Sequence, residues 1–186
     1  MATQVLELRR VEVVRRTHTR EMLAAMRRAV PAAERIGTLV NTHANPDHTF
    51  GNQLLAGASI IASAACAAEM PQTPPQMLAA MEKNWRVLGE GAAFFHETMG
   101  QHFNFDEVVL TLPTRIFERE LDLTVGAKRV HLVNVGPAHT GGDVMVHLPE
   151  ERVVFTGDIL FVGGHPVMWA GPIDNWIKAC DLILGW

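Results

Sequence analysis

An apolar run, Thr38-Leu39-Val40, feeds directly into Thr42-His43-Ala44-Asn45-Pro46-Asp47-His48, and Thr49-Phe50-Gly51-Asn52 follows. The run has the β-branched, apolar character of a short buried strand over 38–42. Two imidazoles and a carboxylate then fall within six residues, 43 to 48. Side chains alternate along an extended segment, so positions 43, 45 and 47 project to one side. Pro46 turns the chain toward a helix, and His48 adds a donor at that turn. Imidazole nitrogen and carboxylate oxygen together suit zinc and similar divalent ions. A loop of this kind needs a rigid strand behind it, and it needs further ligands from elsewhere in the chain.

Two downstream segments offer them. Gly136-Pro137-Ala138-His139-Thr140-Gly141-Gly142-Asp143 and Phe155-Thr156-Gly157-Asp158-Ile159-Leu160-Phe161 each follow a β-rich run. With these three segments in this order, the sequence over roughly 17–186 resembles the metallo-β-lactamase-fold hydrolases. His43-x-Asn45-x-Asp47-His48 is similar to that family's His-x-His-x-Asp-His signature with one substitution, Asn45 for the second His. The resemblance implies an α+β fold, the αβ/βα four-layer sandwich, as a single domain over 1–186. It also implies one or two divalent ions, zinc first, with manganese or iron as alternatives. His43 and His139, with the Asn45 amide oxygen, would hold the first ion. Asp158 would bridge, and Asp47 and His48 would hold the second. Asp47 is also the candidate to orient or deprotonate the attacking water. Thr140 and Asp143 are expected behind His139, fixing its tautomer. Compared with the family pattern, the early Asp is absent from Val13-Val14-Arg15-Arg16-Thr17, and the chain reaches Trp186 before the turn that carries a last His. The expectation is therefore an incomplete domain lacking early strands and a C-terminal strand and helix.

Composition narrows the alternatives. A net charge of −4, with no basic patch beyond Arg9-Arg10 and Arg15-Arg16, argues against nucleic acid. Cys66 and Cys180 are too few and too isolated for a disulfide framework and read as small buried hydrophobes. No signal-peptide pattern follows Met1, and the uncharged run 50–68 carries Asn52 and Gln53 among Ala and Ser, which reads as a buried helix and not a membrane span. A cytoplasmic protein with a small-molecule substrate and no membrane partner is expected, and unpaired sheet edges would favour a homodimer.

Along the chain, residues 5–14 read as a strand or a weak pair. Met22, Met26 and Val30 mark a helix that starts at Thr19 and stops at Pro31. A helix is expected from Gly51 or Asn52 to Ala68, and a broken helical stretch over 76–100 with interruptions at Gly89 and Gly91. Strands are expected at 108–112, 115–118, 121–125, 129–135, 143–148 and 153–156, and a final helix begins near Asp174 or Asn175. His18, His96, His102, His131, His147 and His165 read as surface or structural residues.

Three functions follow from the resemblance. The first is metal-dependent hydrolysis of an ester, thioester, lactone or amide carbonyl. The second is a polyketide cyclase or thioesterase-like reaction on the same fold. The third is a truncated, catalytically inactive copy. Nothing in the residues points to β-lactams in particular, because fold does not fix substrate.

Overall fold

A computed structural model describes residues 16–186; the strand expected over 5–14 lies outside the described residues. Helix α1 (Arg16–Ala29) comes first; it ends before Pro31 as the sequence predicts, but Thr19, the expected start, lies inside it. Strand β1 (Thr38–Val40) leads into the loop that carries His43 and the short helix α2 (Pro46–Thr49), which opens on Pro46.

The next segment departs from expectation. Residues 52–68 do not form one helix. A 3-10 turn over Asn52–Leu55 gives way to strand β2 (Ser59–Ser63) and then helix α3 (Ala64–Glu69). Ile60, Ile61, Ala62 and Ser63 are all buried, because β2 is the middle strand of a parallel sheet ordered β1-β2-β3. A strand buried on both faces shows no alternation, so its apolar run is indistinguishable from a buried helix by periodicity. Ser63 ends the strand and caps α3 by accepting from the Cys66 N–H at 3.1 Å.

Helices α4 (Pro75–Asn84) and α5 (Glu90–Thr98) follow, separated at Gly89, whose φ of +92° favours glycine. Phe95 packs on Phe105, and both join Phe50, Leu78 and Val108 in one apolar cluster, whereas Phe94 is exposed. The strand expected at 108–112 is irregular. Its backbone groups are met by side chains: the Gln53 carboxamide oxygen accepts from Val109 N–H, and the Asn52 amide donates to the Thr111 carbonyl. These bonds take the place of a strand ladder. Strand β3 (Arg115–Phe117) then pairs with β2.

The second sheet is antiparallel and runs in order β4 (Glu120–Val125), β5 (Lys128–Asn134), β6 (Val144–Leu148), β7 (Val153–Phe155). The two sheets face each other across Ile61 and Phe117 on one side and Val130, Leu132 and Val144 on the other. Helix α6 (Ile173–Gly185) lays Trp176 and Ala179 against Met145 and Ile159 on the outer face of the second sheet. Helix α3 packs through Cys66 with Ala62 and Ala44 at the first sheet. The order helix, sheet, sheet, helix is the expected four-layer arrangement. Ile177 and Leu184 of α6 are exposed. Among the described residues no helix is long and apolar enough to cross a membrane.

Leu132 has no exposed surface and lies between the sheets. Leu132→Ala is expected to cost about 2–5 kcal/mol, as other buried large-to-small changes do. Urea denaturation of the variant beside the parent chain measures it.

Candidate metal centre

The loop after β1 is fixed from below. Asn41 and Asn52, both buried, exchange side-chain amide hydrogen bonds in both directions, each at 2.9 Å. The Asn41 amide also donates to the His48 carbonyl at 3.2 Å. This amide pair closes the loop over 41–52 into a ring of fixed shape. The sequence reading did not single out either residue as part of the site. The only signal for them was two amides flanking a ligand-rich segment, one just past a strand and one just past Gly51.

The second sheet holds the same loop from the other side, through Val144 N–H donating to the Thr42 carbonyl at 2.7 Å. Gly157, with φ of +55°, lets the Asp158 turn approach Thr42; a Cβ there would lie 2.9 Å from the Thr42 Cβ. Thus β1, β6 and β7 converge, and they deliver the three ligand-bearing segments to one place.

His43 is buried, its Nδ1 lies 3.1 Å from the Thr42 hydroxyl, and its Nε2 has no hydrogen-bond partner among the described residues. The His43 ring sits 4.0 Å from the His48 ring and 4.9 Å from the His139 ring, centroid to centroid. Burial, then the charges of His48 and His139, lower the His43 pKa to about 2, against an opposing pull from Asp47. The imidazole is therefore neutral at physiological pH, the form that binds metals. His48 Nε2 lies 3.4 Å from Asp47 Oδ2 and 3.5 Å from Asp158 Oδ1. His139 Nε2 lies 3.7 Å from the other Asp158 oxygen, so this carboxylate stands between the two rings. Burial raises the Asp47 pKa, but the hydrogen bond and charge of His48 outweigh it, and the group lies below its ordinary value. Ligand atoms of His43, His48 and Asp158 all fall within 4.8 Å of one another.

The remaining predicted residues lie beside this group. The Asn45 amide nitrogen is 3.1 Å from His139 Nε2. Asp143 is buried and accepts from the Ala138 N–H, the Thr140 N–H and the Thr140 hydroxyl. Burial raises its pKa, and the Thr140 bonds partly oppose this. Thr140 and Asp143 thus brace the loop that carries His139. The bond that orients the His139 ring itself comes from elsewhere: Nδ1 lies 2.5 Å from the Val167 carbonyl, and Trp169 N–H donates back to the His139 carbonyl at 2.8 Å. No residue type marks this bond in the sequence, since Val167 offers only a backbone oxygen, 28 residues away. Beneath the loop, Gly142 meets α3 so closely that a Cβ would stand 2.3 Å from the Cys66 nitrogen. His165 is exposed, with Nδ1 beside the Pro166 carbonyl, and among the described residues it is outside the ligand group.

With this geometry in place, comparison with known proteins is decisive at the family level. The profile of the metallo-beta-lactamase superfamily matches residues 16–185. The chain belongs to that superfamily. No curated protein matches it significantly in sequence. Among solved structures, a metallo-beta-lactamase from Pontibacter korlensis aligns at 15% identity and TM-score 0.57, over 89% of this chain and 62% of its own. The B3 metallo-beta-lactamase BLEG-1 aligns at 17% identity and TM-score 0.56, over 88% of this chain and 68% of its own. The inverting sec-alkylsulfatase Pisa1 from Pseudomonas sp. aligns at 16% identity and TM-score 0.63, over 94% of this chain and 31% of its own. At these identities the likeness is one of fold. The chain spans less than two thirds of the Pontibacter enzyme.

Two outcomes are expected. The folded chain keeps His43 neutral, whereas the unfolded chain protonates it as pH falls through 6.5. Stability of the metal-free protein therefore drops below that pH by up to about 1.4 kcal/mol per unit. Between pH 7 and pH 5 it loses about 2 kcal/mol more than a His43→Gln variant does, measured by urea denaturation in chelator. Asp47, whose shift acts below the ordinary carboxylate range, does not disturb that window. Separately, Gly142→Ala forces the His139 loop off α3 and costs about 1–3 kcal/mol, read from the same denaturation curves.

Proposed function

We propose that this protein is a metal-dependent hydrolase acting on a small carbonyl substrate, an ester, thioester, lactone or amide, in the cytoplasm. One observation carries the reading: His43, His48 and Asp158 converge within 4.8 Å, and the buried His43 Nε2 has no partner among the described residues. A buried unpaired nitrogen costs about 1–3 kcal/mol unless something outside the protein fold satisfies it. The donor set, two imidazoles and a carboxylate, fits zinc, with manganese or iron as alternatives. His43, His48 and Asp158 would hold the ion, which supplies Lewis acidity and lowers the pKa of water toward ~7.

The remaining work falls to this chain's own groups. Asp47, ionised and 3.4 Å from His48, orients the attacking water and takes its proton. Burial of His43 and His139 keeps bulk water from competing at the inner side of the site. The Asn41–Asn52 pair holds the loop in shape while the reaction proceeds.

Chelator-treated protein should hydrolyse no member of an ester, thioester and lactone panel, and added zinc should restore activity against at least one. Asp47→Asn should lower kcat by about 10²–10⁴-fold, the usual range for losing a general base. The same rate before and after chelation would sink the reading.

A further inference from the structure

We infer that Asn45 is a clamp on His139 and not a metal ligand, so that His139 stays out of the coordination sphere and the centre takes a single ion on His43, His48 and Asp158. The inference rests on the metal-dependent reading above and adds the stoichiometry and the ligand set.

The argument is one of proton accounting. A backbone carbonyl has no proton to give. With the Val167 oxygen 2.5 Å from His139 Nδ1, that nitrogen must be the donor. A neutral imidazole carries one N–H, so Nε2 then presents only a lone pair. The group nearest that lone pair is the Asn45 carboxamide, at 3.1 Å, with the Asp158 oxygen farther off at 3.7 Å. Its NH₂ must be the side turned toward His139, because two lone pairs facing each other at this distance repel. Hydrogen bonding thus fixes the orientation of the amide, and Asn45 Oδ1 points away from His139. The single His139 lone pair available to a metal is already engaged.

The backbone that carries the Asn45 carboxamide is fixed. Asn45 sits at the N-terminal boundary of α2, and its carbonyl accepts from the Thr49 hydroxyl at 3.1 Å. His139 is equally constrained, bound at Nδ1 by Val167 and through its carbonyl by Trp169 N–H. Its ring is also held edge-on to Trp176, 5.9 Å between centroids. A histidine at position 45 would offer no such carboxamide donor pair. The one departure in the 43–48 segment therefore changes the state of a residue 94 positions away.

The test is nitrogen-resolved NMR of the histidine rings in the full chain, with and without zinc, together with metal analysis. The expected result is a His139 ring protonated at Nδ1, whose Nε2 resonance stays in place when zinc is added, while the His43 and His48 rings shift. Zinc should reach one equivalent. His139→Ala should weaken zinc binding by no more than about 10–100-fold, the scale of a group outside the ligand set, while His48→Ala should abolish stoichiometric uptake. In Asn45→His the His139 Nε2 resonance should move on zinc addition. The inference is overturned if native His139 Nε2 is protonated, if it shifts with zinc, or if His139→Ala loses the ion as His48→Ala does. If no ring shifts and no zinc is bound, the hydrolase reading and the one-ion centre both fall, and the His139 tautomer still decides whether the clamp exists.

Discussion

Two side-chain amides hold the centre together. Asn41 and Asn52 bond reciprocally inside the protein, and between them lies every residue of the first ligand segment. Buried amides that satisfy each other fully add rigidity, whereas a half-satisfied pair is costly. Here the pair also reaches outward, to the His48 carbonyl and to the irregular segment at Thr111. The ligand loop, the middle strand and the segment before β3 are therefore fixed as one unit. The other two ligand segments are brought to this unit by the second sheet, through the Val144–Thr42 bond and the glycine at 157.

The centre is electrostatically self-consistent. Crowding imidazoles into a buried space disfavours protonation, and His43 accordingly remains neutral with a free nitrogen aimed inward. Asp47 keeps its charge in spite of burial because His48 lies against it. Neutral imidazoles and charged carboxylates are the protonation states that divalent ions select. The Asp158 carboxylate, with one oxygen toward His48 and the other toward His139, lies between the two rings.

Much of this was legible in the chain. The ligand types, their spacing and their positions after strands point to a metal centre, and the order of the three segments points to the family. The β4–β5 hairpin was readable because burial alternates along it, with Leu121, Leu123, Val130 and Leu132 turned to the first sheet and Asp122 and Thr124 exposed. Strand β2 was not readable, because burial on both faces erases the alternation that marks a strand. The segment 108–112 had strand-like composition, yet side-chain amides satisfy its backbone where a neighbouring strand was expected. The support of the His139 ring is not legible in the sequence, because Asp143 and Thr140 are near in sequence while the oxygen that orients the ring belongs to Val167.

The sequence by itself determined which atoms could ligate, since donor chemistry is a property of residue type, and it determined the family, since the segments carrying those atoms recur in fixed order. Only the tertiary structure decided which of those atoms are free to converge. Ligand availability depends on where each lone pair points and which N–H faces it, and those facings are set by packing between segments far apart in the chain. His43 Nε2 is left open and His139 Nε2 is met by Asn45 for that reason, although both are histidines in matching motif positions.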